Sequence, residues 1–161
     1  KRLRDKPERG FDMKKEGFKS TFLPLVIVPI GGLLALGICY LLFLWINNFF
    51  EFQLYSANPS EVPIYLIRRA LAFVFLFLYI VLLLTKTLDL IKAIVLVGPL
   101  GFFTTTAILT YYQQPLLTAA VTVLITAVSS FLAFRSKKPW FFYYAIGITI
   151  LVSILLAWPQ A

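Results

Sequence analysis

The chain is 161 residues long, 60% hydrophobic and 14% charged, which leaves room for one compact helical bundle and excludes a second soluble domain. It has no histidine and a single cysteine, Cys39, so haem, zinc and iron–sulfur sites cannot be assembled from this chain alone and no internal disulfide can form. The formal net charge of +8 sits in the N-terminal segment and in the turns between apolar runs, a placement that points to a membrane surface and away from nucleic acid.

Residues 1–20 carry eight basic side chains, among them Arg2, Arg4, Lys14, Lys15 and Lys19, against four acidic ones. With Pro7, Gly10 and few apolar residues the segment cannot bury a core, so a tail that is flexible or ordered by a partner is expected. Positive residues resist translocation, which makes this tail cytoplasmic and sets its basic groups against anionic lipid or a partner.

Five apolar stretches follow, near 21–46, 64–84, 93–112, 116–134 and 140–158. Each is close to the roughly 20 residues that cross a hydrocarbon core at about 1.5 Å per residue. No small-residue cleavage motif follows the first stretch, which is therefore read as a retained helix. It holds Pro24, Pro29, Gly31, Gly32 and Gly37. An interior proline predicts a kink near Pro29, and the glycines favour close packing over a hinge.

Residues 47–63 turn polar and mildly acidic, with Glu51 and Glu61 and no basic residue, which predicts an external loop. Ser60 is the expected N-cap of the second helix, with Glu61 and Pro63 in its first turn. Arg68 and Arg69 stand one to two turns inside that helix and break the positive-inside pattern. Two readings compete for them. They snorkel to the headgroups with lipid phosphate or Glu61 as counter-ion, or they form a bidentate site for an anionic ligand, a lipid headgroup or a partner carboxylate.

Residues 85–92 are expected inside, with Lys86 and Lys92 pairing locally with Asp89 at three residues' distance. The run Gly98-Pro99-Leu100-Gly101 predicts an interruption of the third helix, either a simple kink or a break that frees carbonyls for an ion or ligand. The uncharged turn at 111–115 makes the third and fourth helices an antiparallel hairpin. Arg135, Lys137 and Lys138 then place the next turn inside, and the fifth helix ends outside.

Small or hydroxyl residues recur at every fourth position of the last two helices: Thr118, Thr122, Thr126 and Ser130, then Ala145, Thr149, Ser153 and Ala157. Since residues four apart share a helix face, each helix offers a low ridge, and a close pairing of these two helices is predicted. The competing reading is a hydroxyl-lined polar path joined by Thr104, Thr105, Thr106 and Thr110.

The sequence thus describes an all-α integral membrane bundle of five transmembrane helices over residues 21–161, N-terminus cytoplasmic and C-terminus outside, behind a basic tail over 1–20. Without histidine or clustered carboxylates, a non-enzymatic role is expected. The leading reading is a non-catalytic subunit or assembly factor of a larger membrane complex; the alternative is a small oligomeric transporter or channel component using the Arg68/Arg69 end and the Thr/Ser-lined helices. Membrane lipids and other membrane protein subunits are the expected partners, lipids are expected to stay bound, and the expected location is a bacterial inner membrane or a thylakoid or other organelle membrane.

Overall fold

A long apolar run satisfies its own backbone only as a helix, because every amide then bonds within the segment and no sheet edge is left open. The computed structural model describes residues 9–54 and 63–157, with side chains from 22 to 53 and from 63 to 157, and shows helices and no strand among them. These are α1 (Arg9–Phe49), closed by a π-helical turn over Phe50–Leu54, then α2 (Ile64–Leu84), α3 (Asp89–Tyr111), α4 (Pro115–Arg135) and α5 (Trp140–Ala157). Five helices are long and apolar enough to span a membrane, the apolar part of the first lying within Phe22–Gln53. Such a chain suggests a multi-pass membrane protein. The end that carries the α2–α3 and α4–α5 turns, with Lys86, Asp89, Lys92, Arg135, Lys137 and Lys138, is here the basic end; the opposite end is the distal end.

Helices α1 and α3 begin earlier than the sequence expectation, whereas the bounds of α2 coincide with it. Helix α1 starts at Arg9, inside the stretch expected to be a tail, and runs through Pro24 and Pro29. Arg2 and Arg4 lie outside the described residues, as do the side chains of Lys14, Lys15 and Lys19. Helix α2 starts at Ile64 with Pro63 in the N-cap position and no side-chain cap. The Pro63 carbonyl accepts the Leu66 and Ile67 amides at 2.9 and 3.1 Å, so the first turn closes without Ser60, which with Glu61 falls outside the described residues. Helix α3 runs continuously across Pro99, against the reading of a break that frees carbonyls. Glycines flank that proline for a different purpose.

They admit α1. A Cβ on Gly98 would stand 3.0 Å from the Ala35 carbonyl carbon and oxygen, and one on Gly32 would stand 2.7 Å from Val97 Cγ2. Gly31 meets Ile94 and Gly101 meets Leu36 in the same way, so the contacts ascend together along both helices and α1 and α3 run parallel. Gly31 and Gly32 serve close approach, as the sequence predicts, whereas Gly37 has nothing within 4 Å of an added Cβ. Helix α5 closes on the other side of Gly101, where Thr149 Cγ2 would lie 3.5 Å from the same Cβ. Helix α3 is thereby the axis of the fold, with most of its residues from Leu96 to Ile108 buried.

Around it the core divides into two clusters. Val28, Tyr79, Val97, Leu100, Phe142 and Ile146 form part of the one toward the basic end. Leu36, Cys39, Ala72, Phe75 and Phe102 form the one toward the distal end. Helix α4 contributes only Ala133 as a buried residue. It ends in a Schellman turn: the Lys138 amide bonds the Ala133 carbonyl and the Lys137 amide the Phe134 carbonyl, both at 3.0 Å, with Lys137 left-handed at φ 49°.

Candidate functional site

Phe102 of α3 is fully buried and organises the distal half of the bundle. Its ring centroid lies 5.1 Å from that of Tyr40 and 5.8 Å from that of Phe43 on α1, and 5.3 Å from that of Phe75 on α2. Residues three, four or seven apart share a helix face, so each helix continues this contact outward with a polar residue. On α2, Phe75, Ala72 and Arg68 form one inward stripe; on α1, Tyr40, Phe43 and Asn47 do so. On α3 the next turn beyond Phe102 presents Thr105, which is 2% exposed.

Among the described residues, three buried polar atoms at this end have no hydrogen-bond partner: Arg68 Nε, Thr105 Oγ1 and Asn47 Oδ1. The Tyr40 phenol stands beside Thr105 and within electrostatic range of Arg68, although no hydrogen bond closes between the two hydroxyls. Arg68 is half-buried and makes no ion pair among the described residues. Six other hydroxyls of the bundle are bonded. Thr104, Thr110, Thr122, Thr126 and Thr149 each donate to the carbonyl four residues back, at 2.7–2.8 Å. Ser153 Oγ donates across to the Gly101 carbonyl at 3.2 Å.

Arg68 and Arg69 do not act as a pair, because consecutive helical residues point about 100° apart. Arg69 is exposed, its guanidinium 5.8 Å from the centroid of the Tyr65 ring, a cation–π contact that needs no further ligand. The ridge on α5 faces α3: Ala145, Thr149, Ser153 and Ala157 are all buried, and Ser153 and Thr149 meet Gly101. The ridge on α4 is only half-buried at Thr118, Thr122, Thr126 and Ser130. The predicted close pairing of α4 with α5 is thus replaced by one of α5 with α3, whose glycine leaves a deeper groove than the threonines of α4.

At the basic end the charges find partners. Lys138 Nζ lies 2.7 Å from Asp89 Oδ1, and its ammonium 5.3 Å from the centroid of the Phe142 ring. Asp89 therefore pairs across to the α4–α5 turn and not with Lys86 or Lys92. Lys92 is buried and donates to the Leu83 and Thr85 carbonyls at 3.0 and 2.7 Å, closing the end of α2 from α3. Arg135 and Lys137 are exposed. Beside this end an apolar cavity of about 340 Å³ lies between α2 and α4, lined by Leu83, Leu96, Leu132 and Phe142 with Lys138 among its walls. A second, of about 400 Å³, runs along Thr118, Thr122, Ile154 and Ala157.

Sequence reasoning singled out Arg68 but not Tyr40 or Asn47; it gave Lys92 to Asp89 where the structure gives it to the end of α2, and it treated Thr105 as one member of a hydroxyl lane. The signal for the first two was present: polar groups seven residues apart on one face of an apolar helix. Comparison with protein families, with characterised proteins and with solved structures returns no match to this chain.

Proposed function

We propose that this chain is a non-catalytic integral membrane subunit or assembly factor of a larger membrane protein complex, in a bacterial inner membrane or an organelle membrane such as the thylakoid. In this reading the basic end is cytoplasmic, the N-terminus lies inside and the C-terminus outside, as the distribution of lysine and arginine requires. The observation that carries it is α4, a spanning-length helix with one buried residue and a cavity along either side. Association of helices in lipid rests on van der Waals packing, so a helix this sparsely packed lacks the contacts that would hold it, and a neighbouring subunit would supply them.

The alternative, a small oligomeric transporter or channel component, draws on Arg68, since charge inside an apolar bundle marks ion or ligand paths. Against it, seven of the hydroxyls that would line a path, those of Thr104, Thr110, Thr118, Thr122, Thr126, Thr149 and Ser153, are engaged with backbone carbonyls. Gentle-detergent purification of the tagged chain followed by native mass spectrometry separates the two. A stoichiometric heterologous partner is expected. A stable monomer with no protein partner would overturn the subunit reading, and a homo-oligomer would transfer support to transport. Sidedness is checked separately, by labelling cysteines placed at Ser56 and Ser136 in a Cys39→Ala background. The two should react from opposite faces, and labelling of both from one face would reject the five-span topology.

A further inference from the structure

We infer that Arg68, Thr105 and Tyr40 form a binding site for the phosphate of one phospholipid, taken from the leaflet at the distal end. The argument begins with donors. Arg68 offers Nε–H and the rest of its guanidinium fork, and Thr105 and Tyr40 each offer a hydroxyl. Arg68 Nε and Thr105 Oγ1 are out of contact with water and unpartnered, and Thr105 belongs to a bundle in which its hydroxyl-bearing neighbours Thr104, Thr149 and Ser153 are bonded. An unmet donor in such surroundings costs about 1–3 kcal/mol, more when charged, so two of them gathered with the Tyr40 hydroxyl over one aromatic floor call for an acceptor-rich group of negative charge.

No described carboxylate answers. Glu51, in the π-helical turn that closes α1 and four residues beyond Asn47, makes no ion pair with the guanidinium. Phosphate suits the donors because its oxygens accept from guanidinium and hydroxyls together and carry the charge that a half-buried arginine lacks. Depth identifies the source. Arg68 stands four residues into α2 and Thr105 six residues before the end of α3, about 6 and 9 Å of helix rise from the distal end. That is within reach of a lipid phosphate for an arginine that extends toward the headgroups, whereas free phosphate would have to leave bulk water to arrive there. Asn47 Oδ1, on the α1 face that also carries Tyr40, is an unmet acceptor suited to a hydroxyl of the lipid's headgroup.

The test uses the full-length chain, exchanged into mixed micelles with phosphatidylglycerol or phosphatidylcholine and read by native mass spectrometry. One phospholipid is expected to survive collisional activation that strips the rest. Arg68→Gln is expected to lower its retention at least about tenfold, the loss of one charge-assisted contact, and Thr105→Val by a few-fold, while Arg69→Gln leaves it unchanged. Inorganic phosphate up to about 10 mM is expected not to compete.

Retention in Arg68→Gln equal to wild type, or an equal fall in Arg69→Gln, would overturn the proposal by reducing it to general attraction at the surface. Displacement by inorganic phosphate would make the ligand a free anion. A rise in retention on Glu61→Gln would show that Glu61 already occupies the guanidinium. Loss of a co-purifying protein instead of a lipid would assign Arg68 to a partner's carboxylate. Should Arg68→Gln not yield monodisperse protein, Thr105→Val, which keeps the side-chain shape, decides the matter.

Discussion

The α1–α3–α5 seam and helix α4 are built from the same residue classes and packed to opposite degrees. In the strongest spanning window of α3, 67% of residues are buried, against 6% in α4. Both regions contain regularly spaced small residues. What separates them is glycine: Gly31, Gly32, Gly98 and Gly101 remove every side-chain atom at the crossing, whereas the α4 threonines keep a methyl and a hydroxyl on the surface. Small-residue spacing alone therefore does not make a helix pair; the depth of the groove decides which neighbour is taken.

Filling that groove should have the largest effect. Gly98→Val places a branched side chain against the Ala35 backbone, which cannot rotate away, and is expected to destabilise the fold by about 3 kcal/mol. Gly37→Ala, on the facing helix α1 with nothing within 4 Å of the added carbon, is the control and should be neutral or slightly stabilising. Reversible unfolding in mixed micelles, followed by circular dichroism, measures both. Equal stability of the two variants would mean that α1 and α3 do not cross at this register.

Helix α2 joins the seam through different means, and a lysine is central to them. Lys92→Met keeps the length of the stem and removes the two bonds to the Leu83 and Thr85 carbonyls, with an expected loss of about 2 kcal/mol in the same assay. A result near zero would show that desolvating the ammonium cancels what its bonds contribute.

Legibility in the sequence followed the same division. Helix number, type and most boundaries could be read because a run of about 20 apolar residues has few alternatives to a helix. Gly31 and Gly32 were legible as packing because small residues on a membrane helix favour close approach, although Gly37, read the same way, meets nothing. The partner of α5 was not, since two ridges of equal period look alike in sequence and only the assembled bundle puts Gly101 opposite Ser153. Arg68 was legible as an exception to a charge rule. Its surroundings were not, because Tyr40 and Thr105 reach it from helices 28 and 37 residues away in the chain, and no local pattern marks that meeting. Asp89 misled for a related reason: lysines three residues to either side satisfied a local rule, while the ion pair closed on Lys138 across the α4–α5 turn.

That turn offers a change in the opposite direction. Lys137 holds a left-handed conformation at φ 49°, which costs a side-chain-bearing residue about 1 kcal/mol relative to glycine. Lys137→Gly is expected to raise stability by about that amount. Unchanged or lowered stability would indicate that the lysine side chain is held by contacts worth as much as the strain, which its exposure argues against.

The smallest effects bear most directly on the comparison, because they ask what one hydroxyl does on each side of it. Ser153→Ala removes the bond to the Gly101 carbonyl inside the seam, and interhelical hydrogen bonds of this kind average about 0.6 kcal/mol. Thr126→Val on α4 removes a bond that never leaves its own helix, so its expected change is near zero. The two variants differ in helix, not in the class of atom lost. A larger loss for Thr126→Val than for Ser153→Ala would mean that the α4 hydroxyls meet something beyond this chain. That result would locate the missing neighbour on the ridge of Thr118, Thr122, Thr126 and Ser130.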